Sequence, residues 1–368
     1  MTRPLPLQDL KVVAIEQAVA APFASSRLAD AGAEVIKIER PGGDFARGYD
    51  TAAAGQSSYF VWLNRGKTSA ICDLTTEAGK EALEMHISAA DVVIQNLKHG
   101  ALERLGFGAE RLAQDYPRLI ICSISGYGEA GPMADRKAYD LLVQAESGLC
   151  SITGGPSEPS RVGVSVVDIA TGATAHAAIL EALIQRGISG KGTQISVSMF
   201  DVIAEWLTVP LLNHESGNSP TRLGMMHPSI APYGVFETKD GKLILISIQS
   251  DREWGQLCRA FLNDSTLATD PRFATNVARV RHRENTDGIV AARFATMTAK
   301  EATEALLCAN VALANVNDMA GLAGHPHLRR ITVETPNGPV SLPAPAPVVA
   351  GEDRDYGSVP ALGEADSS

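Results

Sequence analysis

An α/β fold is what this sequence predicts, and three observations predict it. Short apolar runs of β type alternate with helical segments through the first two hundred residues, which implies βαβ units and a mostly parallel sheet. After Asp201 the texture changes to a stretch rich in Pro, Gly and Asn. Beyond it come a hairpin signal and a run of helical segments, the pattern of a smaller α+β domain.

Taken in order, "KVVAI" (11–15) is the first strand. "APFASSRLADAG" has helical spacing and stops at Gly32, a good C-cap residue. "EVIKI" (34–38) is the second strand and "TSAICDL" a third. "TEAGKEALEMHISAA" is an amphipathic helix before the strand "DVVIQN" (91–96), and "GALERLGFGAERLAQDYP" is helical with breaks. "RLIICSIS" (118–125) and "TQISVSM" (193–199) complete the strands of the large domain. "WLTVPLLNHESGNSPTRLGMMHPSIAPYG" reads as a linker across a surface. "GVFETKDGKLILISI" is a hairpin turning at Asp240-Gly241, helices occupy about 251 to 308, and Asn337-Gly338 marks another hairpin. The expected organisation is 1–206 large α/β domain, 207–234 crossover, 235–320 small α+β domain and 321–368 return segment, with a frayed "GEADSS" tail. The large domain is Rossmann-like in layout, yet "EQAVAAPFA" follows the first strand where G-x-G-x-x-G would stand. No G-x-x-x-x-G-K-[ST] loop is present either, so NAD and ATP in their usual modes are not expected.

Composition narrows the function. With 45% hydrophobic and 20% charged residues the chain reads as globular and soluble, and a net charge of -10 disfavours nucleic acid. The first residues lack the apolar core of a secretory signal, and no apolar run reads as a membrane span. Five cysteines lie far apart without C-x-x-C, which fits a reducing cytoplasm and neither disulfides nor a thiolate metal site. The eight histidines include no H-E-x-x-H, and "HPHL" around His325 and His327 reads as a turn, so no metal is expected.

Asp168 stands out, a carboxylate between the apolar run Val162–Val167 and an Ala-rich run. Carboxylates are rarely buried without a partner. Asp is a favoured helix cap at a strand-to-helix junction. A carboxylate at a strand end can also face a cleft, where it can act as a covalent nucleophile. The residues alone leave both readings open. Nearby, "GVSVV" lacks the second glycine of a serine elbow, and Cys150 has no histidine near it in sequence.

Seven segments, "APFASSRLADAGAEVIKIERPGGDFARG", "NRGKTSAICDL", "DVVIQNLKHGALERLGF", "ISGYGEAGP", "AYDLLVQAESGLCSITG", "GKGTQISVSMFD" and "HPHLRR", occur in an order and spacing that resemble the class III CoA-transferase family, the CaiB/BaiF type, from about Leu7 to Gly363. The resemblance implies that Asp168 is the nucleophile toward an acyl-CoA thioester, that coenzyme A is a cosubstrate with no permanently bound cofactor, and that the chain forms an interlocked homodimer. It implies CoA contacts at Gln17, Ala18, Arg40, Cys72, Asn96, Leu97, Arg104 and Lys137. Val19 and Thr75 depart from the Gln and Lys found there in some members. Racemases of the same fold carry a His before an Asp where this chain has Tyr139 and Asp140. Tyrosine is a poor proton shuttle near neutrality, so transfer is favoured over the alternative, 2-methylacyl-CoA racemisation or acyl-CoA isomerisation. A non-catalytic CoA binder would have no need of Asp168.

Within the family the segments "GGDFARGYD" and "RKAYDLLVQAESG" resemble transferases of short dicarboxylates, and the glycine-rich loop of the formyl/oxalate type is absent. The resemblance thus implies a small dicarboxylic acid beside the acyl-CoA, succinyl-CoA among the donors. Tyr139 and Asp140 are expected to line the substrate site. Arg47, Arg222 and His227 are the candidates to hold a remote carboxylate.

Overall fold

The computed structural model describes residues 4–352 and 354–367. These form two compact units. The first comprises the chain up to Cys150, Arg161–Leu212 and the segment from Arg329 on; the second comprises Ser151–Ser160 and Asn213–Leu328. The sequence divides the chain at 206 and 320, where the units divide at Leu212 and Leu328, and no change of composition announces that 151–160 belongs with the second unit.

In the first unit the elements run β1 (Lys11–Ile15), α1 (Ala20–Asp30), β2 (Glu34–Glu39), α2 (Ser58–Asn64), β3 (Lys67–Ile71), α3 (Glu77–Ser88), β4 (Val92–Gln95), α4 (Ala101–Arg104), α5 (Ala109–Asp115), β5 (Ile120–Ser125), α6 (Asp140–Glu146), α7 (Leu149–Ile152), α8 (Val166–Ser189), β6 (Gln194–Ser198), α9 (Met199–Trp206) and α10 (Thr208–Glu215), of which α7 and α10 run across unit boundaries. All six strands are parallel, in the order β3-β2-β1-β4-β5-β6. The strands β1, β4 and β5 are largely apolar because both faces of the sheet are covered, whereas β2, β3 and β6 also carry polar and charged residues. Alternate residues of β1 go to opposite cores: Val12 and Ala14 pack with α1 and α8, Val13 and Ile15 with α3 and α5. The strand order is the doubly wound one. Between β1 and β4 the chain departs in opposite directions, which opens a crevice at their carboxyl ends, the usual ligand position in such sheets.

Two expectations about the middle of the chain need correction. The apolar run before Asp168 is not a strand: Arg161–Ser165 is irregular, and Asp168 lies in the first turn of α8. Val166 and Val167 begin the helix and pack in a local cluster with Val143 and Met199, and the parallel sheet takes its next strand only at Gln194. Moreover α8, at 24 residues and mean hydropathy 1.3, is long and apolar enough by length and composition to cross a membrane. Its apolar character has another use here, because Val167, Ala170, Ala175, Ile179 and Ala182 are buried within the unit. The expected surface linker also begins with a helix, α10.

The return segment forms β10 (Arg330–Val333) and β11 (Val340–Pro343), an antiparallel pair as Asn337-Gly338 signals. The tail is not frayed as far as it is described. Gly363 N–H donates to Ser69 Oγ at 3.1 Å and Ala365 packs against the α3 side core; Ser368 lies outside the described residues.

In the second unit β7 (Tyr233–Glu237) and β8 (Leu243–Ser247) form the hairpin around Gly241 (φ +72°), and β9 (Ala312–Asn315) adds an antiparallel third strand that the sequence reading missed. Helices α11 (Asp251–Ala260), α12 (Asn276–Arg281), α13 (Arg283–Phe294), α14 (Ala299–Cys308) and α15 (Met319–Ala323) accompany them. Trp254, Phe261, Phe273 and Phe294 fill the core of this unit.

Candidate active site

The start of α8 is built by a carboxylate other than Asp168. Ser165, the N-cap, supplies no side-chain cap. Asp140, first residue of α6, does so instead: its Oδ1 accepts from Val167 N–H at 2.8 Å and Asp168 N–H at 3.2 Å. Its Oδ2 accepts from Gln144 Nε2 at 2.6 Å, and Gln144 Oε1 accepts from Val162 N–H at 2.9 Å. The capping role that the sequence offered to Asp168 is thus filled by Asp140. Asp140 also lines the cavity into which Asp168 opens, with both its oxygens engaged by the protein.

Asp168 is left free. Its carboxylate accepts no hydrogen bond among the described residues, and it opens into a cavity of about 400 Å³. Burial, and then the negative charge of Asp140, push its pKa up to about 7. The helix N-terminus favours the anion, and the two opposing effects prevail. A carboxylate of raised basicity without donors is a better nucleophile than an ordinary one, and near neutrality a large fraction remains ionised.

The facing wall is the β1–α1 turn, and buried charge fixes it. Gln17 N–H donates to Asn96 Oδ1 at 2.9 Å and Asn96 Nδ2 returns a bond to the Gln17 carbonyl at 2.8 Å, which joins the ends of β1 and β4 across the crevice. Ala18 adopts φ +62°, a left-handed conformation unfavourable for a residue with a Cβ. Asp44 Oδ1 holds it by accepting from Ala18 N–H at 3.2 Å, and also accepts from Ala46 N–H at 2.9 Å. Behind it Lys37 Nζ stands 2.9 Å from Asp44 and 3.4 Å from Glu16, and Lys67 Nζ stands 2.7 Å from Glu16, all with fully buried side chains. Burial pushes Lys67 down to about 8, against the attraction of Glu16.

Helix packing sets the distance between the walls. Gly172, one turn beyond Asp168, meets α1 so closely that a Cβ there would lie 2.4 Å from the Ala20 carbonyl oxygen and 2.8 Å from Phe23 Cβ. Val19 and Ala20, at the start of α1 where no side chain caps the helix, line the same cavity as Asp168.

Most of the residues named from sequence line three adjoining cavities that share Gln17. Arg40, Cys72 and Leu97 border one of about 190 Å³. Asn96, Leu97, Lys137 and Tyr139 border a second of about 270 Å³, together with Lys98, His99 and Arg136. Gln17, Ala18, Asn96, Tyr139, Asp140 and Asp168 border the third. Tyr139 is 57% exposed. A larger cavity of about 720 Å³ lies beside β6, edged by Glu103, Glu110 and Glu129. Its one cation, Arg111, is paired with Glu84 and Asp115, and it contains no residue of the constellation around Asp168.

Other expectations are not met by the geometry. Arg47 does not present a free cation: Nε and Nη2 donate to Glu39 at 2.9 and 2.6 Å, and its guanidinium stacks 3.8 Å from the Phe60 ring. Arg47 therefore neutralises a buried carboxylate, and with Ser69 holds Glu39 down at about 2 against the effect of burial. Arg222 and His227 belong to the second unit. Arg222 donates to the carbonyls of Ser151, Gly155 and Pro156 and so clamps the 151–160 segment. The His227 ring stacks on Tyr233 at 5.1 Å, and its Nδ1 accepts from Ser229 N–H. Arg104 on α4 borders none of these cavities. Conversely, the sequence reading missed Phe45, Tyr49, Tyr59 and Arg161, all of which line the Asp168 cavity. Phe45 and Tyr49 lie in "GDFARGYD", where the aromatic spacing was visible; Tyr59 and Arg161 carry no local signal. Among the described residues no group of three or more His, Cys, Asp and Glu is placed to hold a metal.

Comparison with known proteins agrees with this geometry. The chain matches CoA-transferase family III over residues 7–365. It is 36% identical to a succinate–glutarate CoA-transferase of Agrobacterium fabrum, over 98% of this chain and 93% of that one. It is 35% identical to an acetyl-CoA:oxalate CoA-transferase of Acetobacter aceti, over 95% and 91%. Among solved structures a CAIB/BAIF family protein from Brucella suis superposes with a TM-score of 0.85 at 35% identity, covering 99% of this chain and 98% of the other. A match over nearly the whole length, with an aspartate carboxylate free of donors at the crevice of a doubly wound sheet, leaves one conclusion: the chain belongs to the family III CoA-transferases and is an enzyme that uses CoA thioesters.

Proposed function

We propose that this enzyme moves CoA from an acyl-CoA donor, succinyl-CoA foremost, to a C4 or C5 dicarboxylic acid, with Asp168 as covalent nucleophile. The observation that carries the reading is the Asp168 carboxylate, free of donors and open to a cavity. An Asp168 oxygen attacks the thioester carbonyl carbon, the C–S bond breaks, and CoA leaves as thiolate from a mixed anhydride. The thiolate attacks the aspartyl carbonyl, releases the donor acid and leaves an aspartyl-CoA thioester. The acceptor carboxylate then attacks that thioester and re-expels the thiolate. Attack of the thiolate on the acceptor acyl carbon yields the new acyl-CoA and regenerates Asp168. Each intermediate is an activated acyl group, so transfer competes with hydrolysis, and excluding water protects it. We assign oxyanion stabilisation to backbone N–H groups at the uncapped start of α1.

In this reading CoA lies along the three cavities. Its adenosine end is at Arg40, Cys72 and Leu97, its phosphates are near Lys98, Arg136 and Lys137, and its thioester is beside Gln17, Ala18 and Asn96. Arginine suits a planar or phosphate contact and lysine a point-charge contact with phosphate. The acid is a dicarboxylate because the related enzymes are named for glutarate and oxalate. Tyr139, where racemases place a base, supports transfer. An interlocked homodimer is part of the same proposal, supported by exposed Trp206, Val209, Leu211 and Leu212.

The test is to incubate the enzyme with succinyl-CoA, treat it with hydroxylamine or borohydride, and map the modified residue by mass spectrometry. An adduct on Asp168 is expected. Asp168→Ala is expected to bind CoA while transfer falls to background; substantial turnover by that variant would remove the covalent mechanism.

A further inference from the structure

The cavity around Asp168 and its neighbour differ in the cations that line them. Toward the CoA channel it shares Gln17, Phe45, Asn96, Ala138, Tyr139 and Met199 with the neighbouring cavity that carries Lys98, Arg136 and Lys137. The lining that it does not share with that cavity includes Val19, Ala20, Tyr49, Tyr59, Leu141 and Arg161. Arg161 is the one cation in the lining of this cavity. Its guanidinium makes a single long bond, Nη2 to the Gly163 carbonyl at 3.5 Å, and no carboxylate pairs with it among the described residues. Every other arginine considered for the acid, Arg47 and Arg222, is committed to protein acceptors.

We infer that Arg161 is the specificity-determining residue that binds the distal carboxylate of the acceptor acid. The inference rests on the dicarboxylate reading above. A diacid brings two negative charges into a cavity that already holds Asp168 and Asp140. One carboxylate reacts and is consumed in the anhydride. The other stays anionic throughout and, in a half-closed apolar wall of two tyrosines, a valine, an alanine and a leucine, needs a charged donor to replace its water. Arginine offers two parallel N–H groups that match a carboxylate's two oxygens. With only the 3.5 Å bond to the Gly163 carbonyl to compete, the side chain gives up little contact within the protein to make that one. It lines the Asp168 cavity and not the neighbouring one that carries Lys98, Arg136 and Lys137, so the phosphates of CoA and the distal carboxylate have different cations. Held by Arg161, the acid keeps its free carboxylate in the cavity of Asp168, which is positioning that a monocarboxylate of equal length lacks.

The experiment compares glutarate with valerate as acceptors, with succinyl-CoA as donor for both. The donor half-reaction is common to the two and cancels in the ratio of their kcat/KM values. Wild type is expected to favour glutarate. Arg161→Gln is expected to lower the glutarate-to-valerate ratio about 10- to 100-fold, the loss of one charge-assisted pair, mainly through KM for the diacid. Arg161→Lys keeps the charge without the fork and is expected to fall between them. A ratio unchanged in Arg161→Gln overturns the assignment, including the case in which both acids and succinyl-CoA suffer alike because Arg161 serves CoA. Should Arg161→Gln fail to fold, Arg161→Lys decides alone: a several-fold drop supports the assignment and an unchanged ratio overturns it. A wild-type enzyme that does not favour glutarate over valerate overturns the dicarboxylate reading together with this inference. A wild-type preference that survives in the variants overturns the inference only.

Discussion

Replacing Gly172 by Ala tests whether the spacing of α1 and α8 sets the active site. A methyl group at 172 would stand 2.4 Å from the Ala20 carbonyl oxygen and 2.8 Å from Phe23 Cβ. The first contact is about 1 Å short of an ordinary non-bonded separation of ~3.5 Å. The obstacle is backbone on a packed helix, so α1 must move as a body. Glycine inside a helix costs ~1 kcal/mol relative to alanine, and this is regained by the substitution. Overpacking costs ~1–3 kcal/mol. The two nearly offset, leaving a net loss of about 0–2 kcal/mol and a Tm lowered by only a few degrees. Activity has no such offset. Val19 and Ala20 lead α1 and line the cavity opposite Asp168, and a misplacement of ~1 Å at reacting groups can cost about 100-fold. The assay is single-turnover acylation of Asp168 by succinyl-CoA, beside the Tm from calorimetry. The expected result is a large loss of rate with a small loss of stability. Acylation at the wild-type rate, with Tm unchanged or raised, would refute the claim that this contact sets the geometry.

Further predictions concern titration and assembly. Asp168, pushed up to about 7, is expected to make single-turnover acylation rise through pH 7 and level off above it, where an ordinary aspartate would leave the profile flat above about pH 5. Asp140→Asn, which removes a like charge while keeping an acceptor for α8, should move the midpoint to lower pH, and an unmoved midpoint would contradict the stated cause. The sign for stability is the reverse of the usual carboxylate: a raised folded pKa favours the protonated form, so stability falls as pH rises from the unfolded value of 3.8 to about 7. Asp168→Asn should accordingly be more stable than wild type at pH 8 and gain little at pH 4, as paired thermal melts will show. For assembly, light scattering should give a dimer that survives dilution; a monomer at working concentration ends the interlocked-dimer proposal.

What the sequence shows plainly is what local periodicity and turn chemistry encode. The strands β1, β4 and β5 are largely apolar because both faces are covered, and the hairpins at Asp240-Gly241 and Asn337-Gly338 follow from two turn dipeptides. Asp168 stands out as a charge in an apolar setting, but its neighbourhood misleads. A run of β-branched residues looks like a strand, and only a long-range partner, Asp140, reveals that a helix begins at Val166. Arg47 illustrates the converse failure. As a residue type it is a fair ligand for a carboxylate, and the carboxylate it takes, Glu39, is eight residues away in the same motif and buried on β2. Arg161 has no periodic or motif signal at all. Its place in the cavity comes from how the irregular segment before α8 runs, which no short window of sequence encodes.

The same functional group does five jobs around this crevice, and its surroundings assign them. Glu16 is enclosed between two buried lysines, and their charges outweigh the effect of burial and lower its pKa. Glu39 accepts from Arg47, Ser69 and a backbone N–H. Asp44 divides its oxygens between the Ala18 and Ala46 amides and Lys37. Asp140 caps α8 and holds Gln144. At Glu16 and Glu39 the donors stabilise the anion and withdraw basicity from it, which makes a carboxylate a poor nucleophile. Asp168 has no such donor, and a negative neighbour raises its energy further. Buried ion pairs contribute little net stability compared with apolar replacements of similar volume, so the cluster behind the β1–α1 turn is better understood by what it holds: a left-handed Ala18, placed beside Gln17 and Asn96 at the mouth of the sheet. The four satisfied carboxylates fix the walls. The one without donors is left facing the cavity, where its raised basicity serves attack on a thioester.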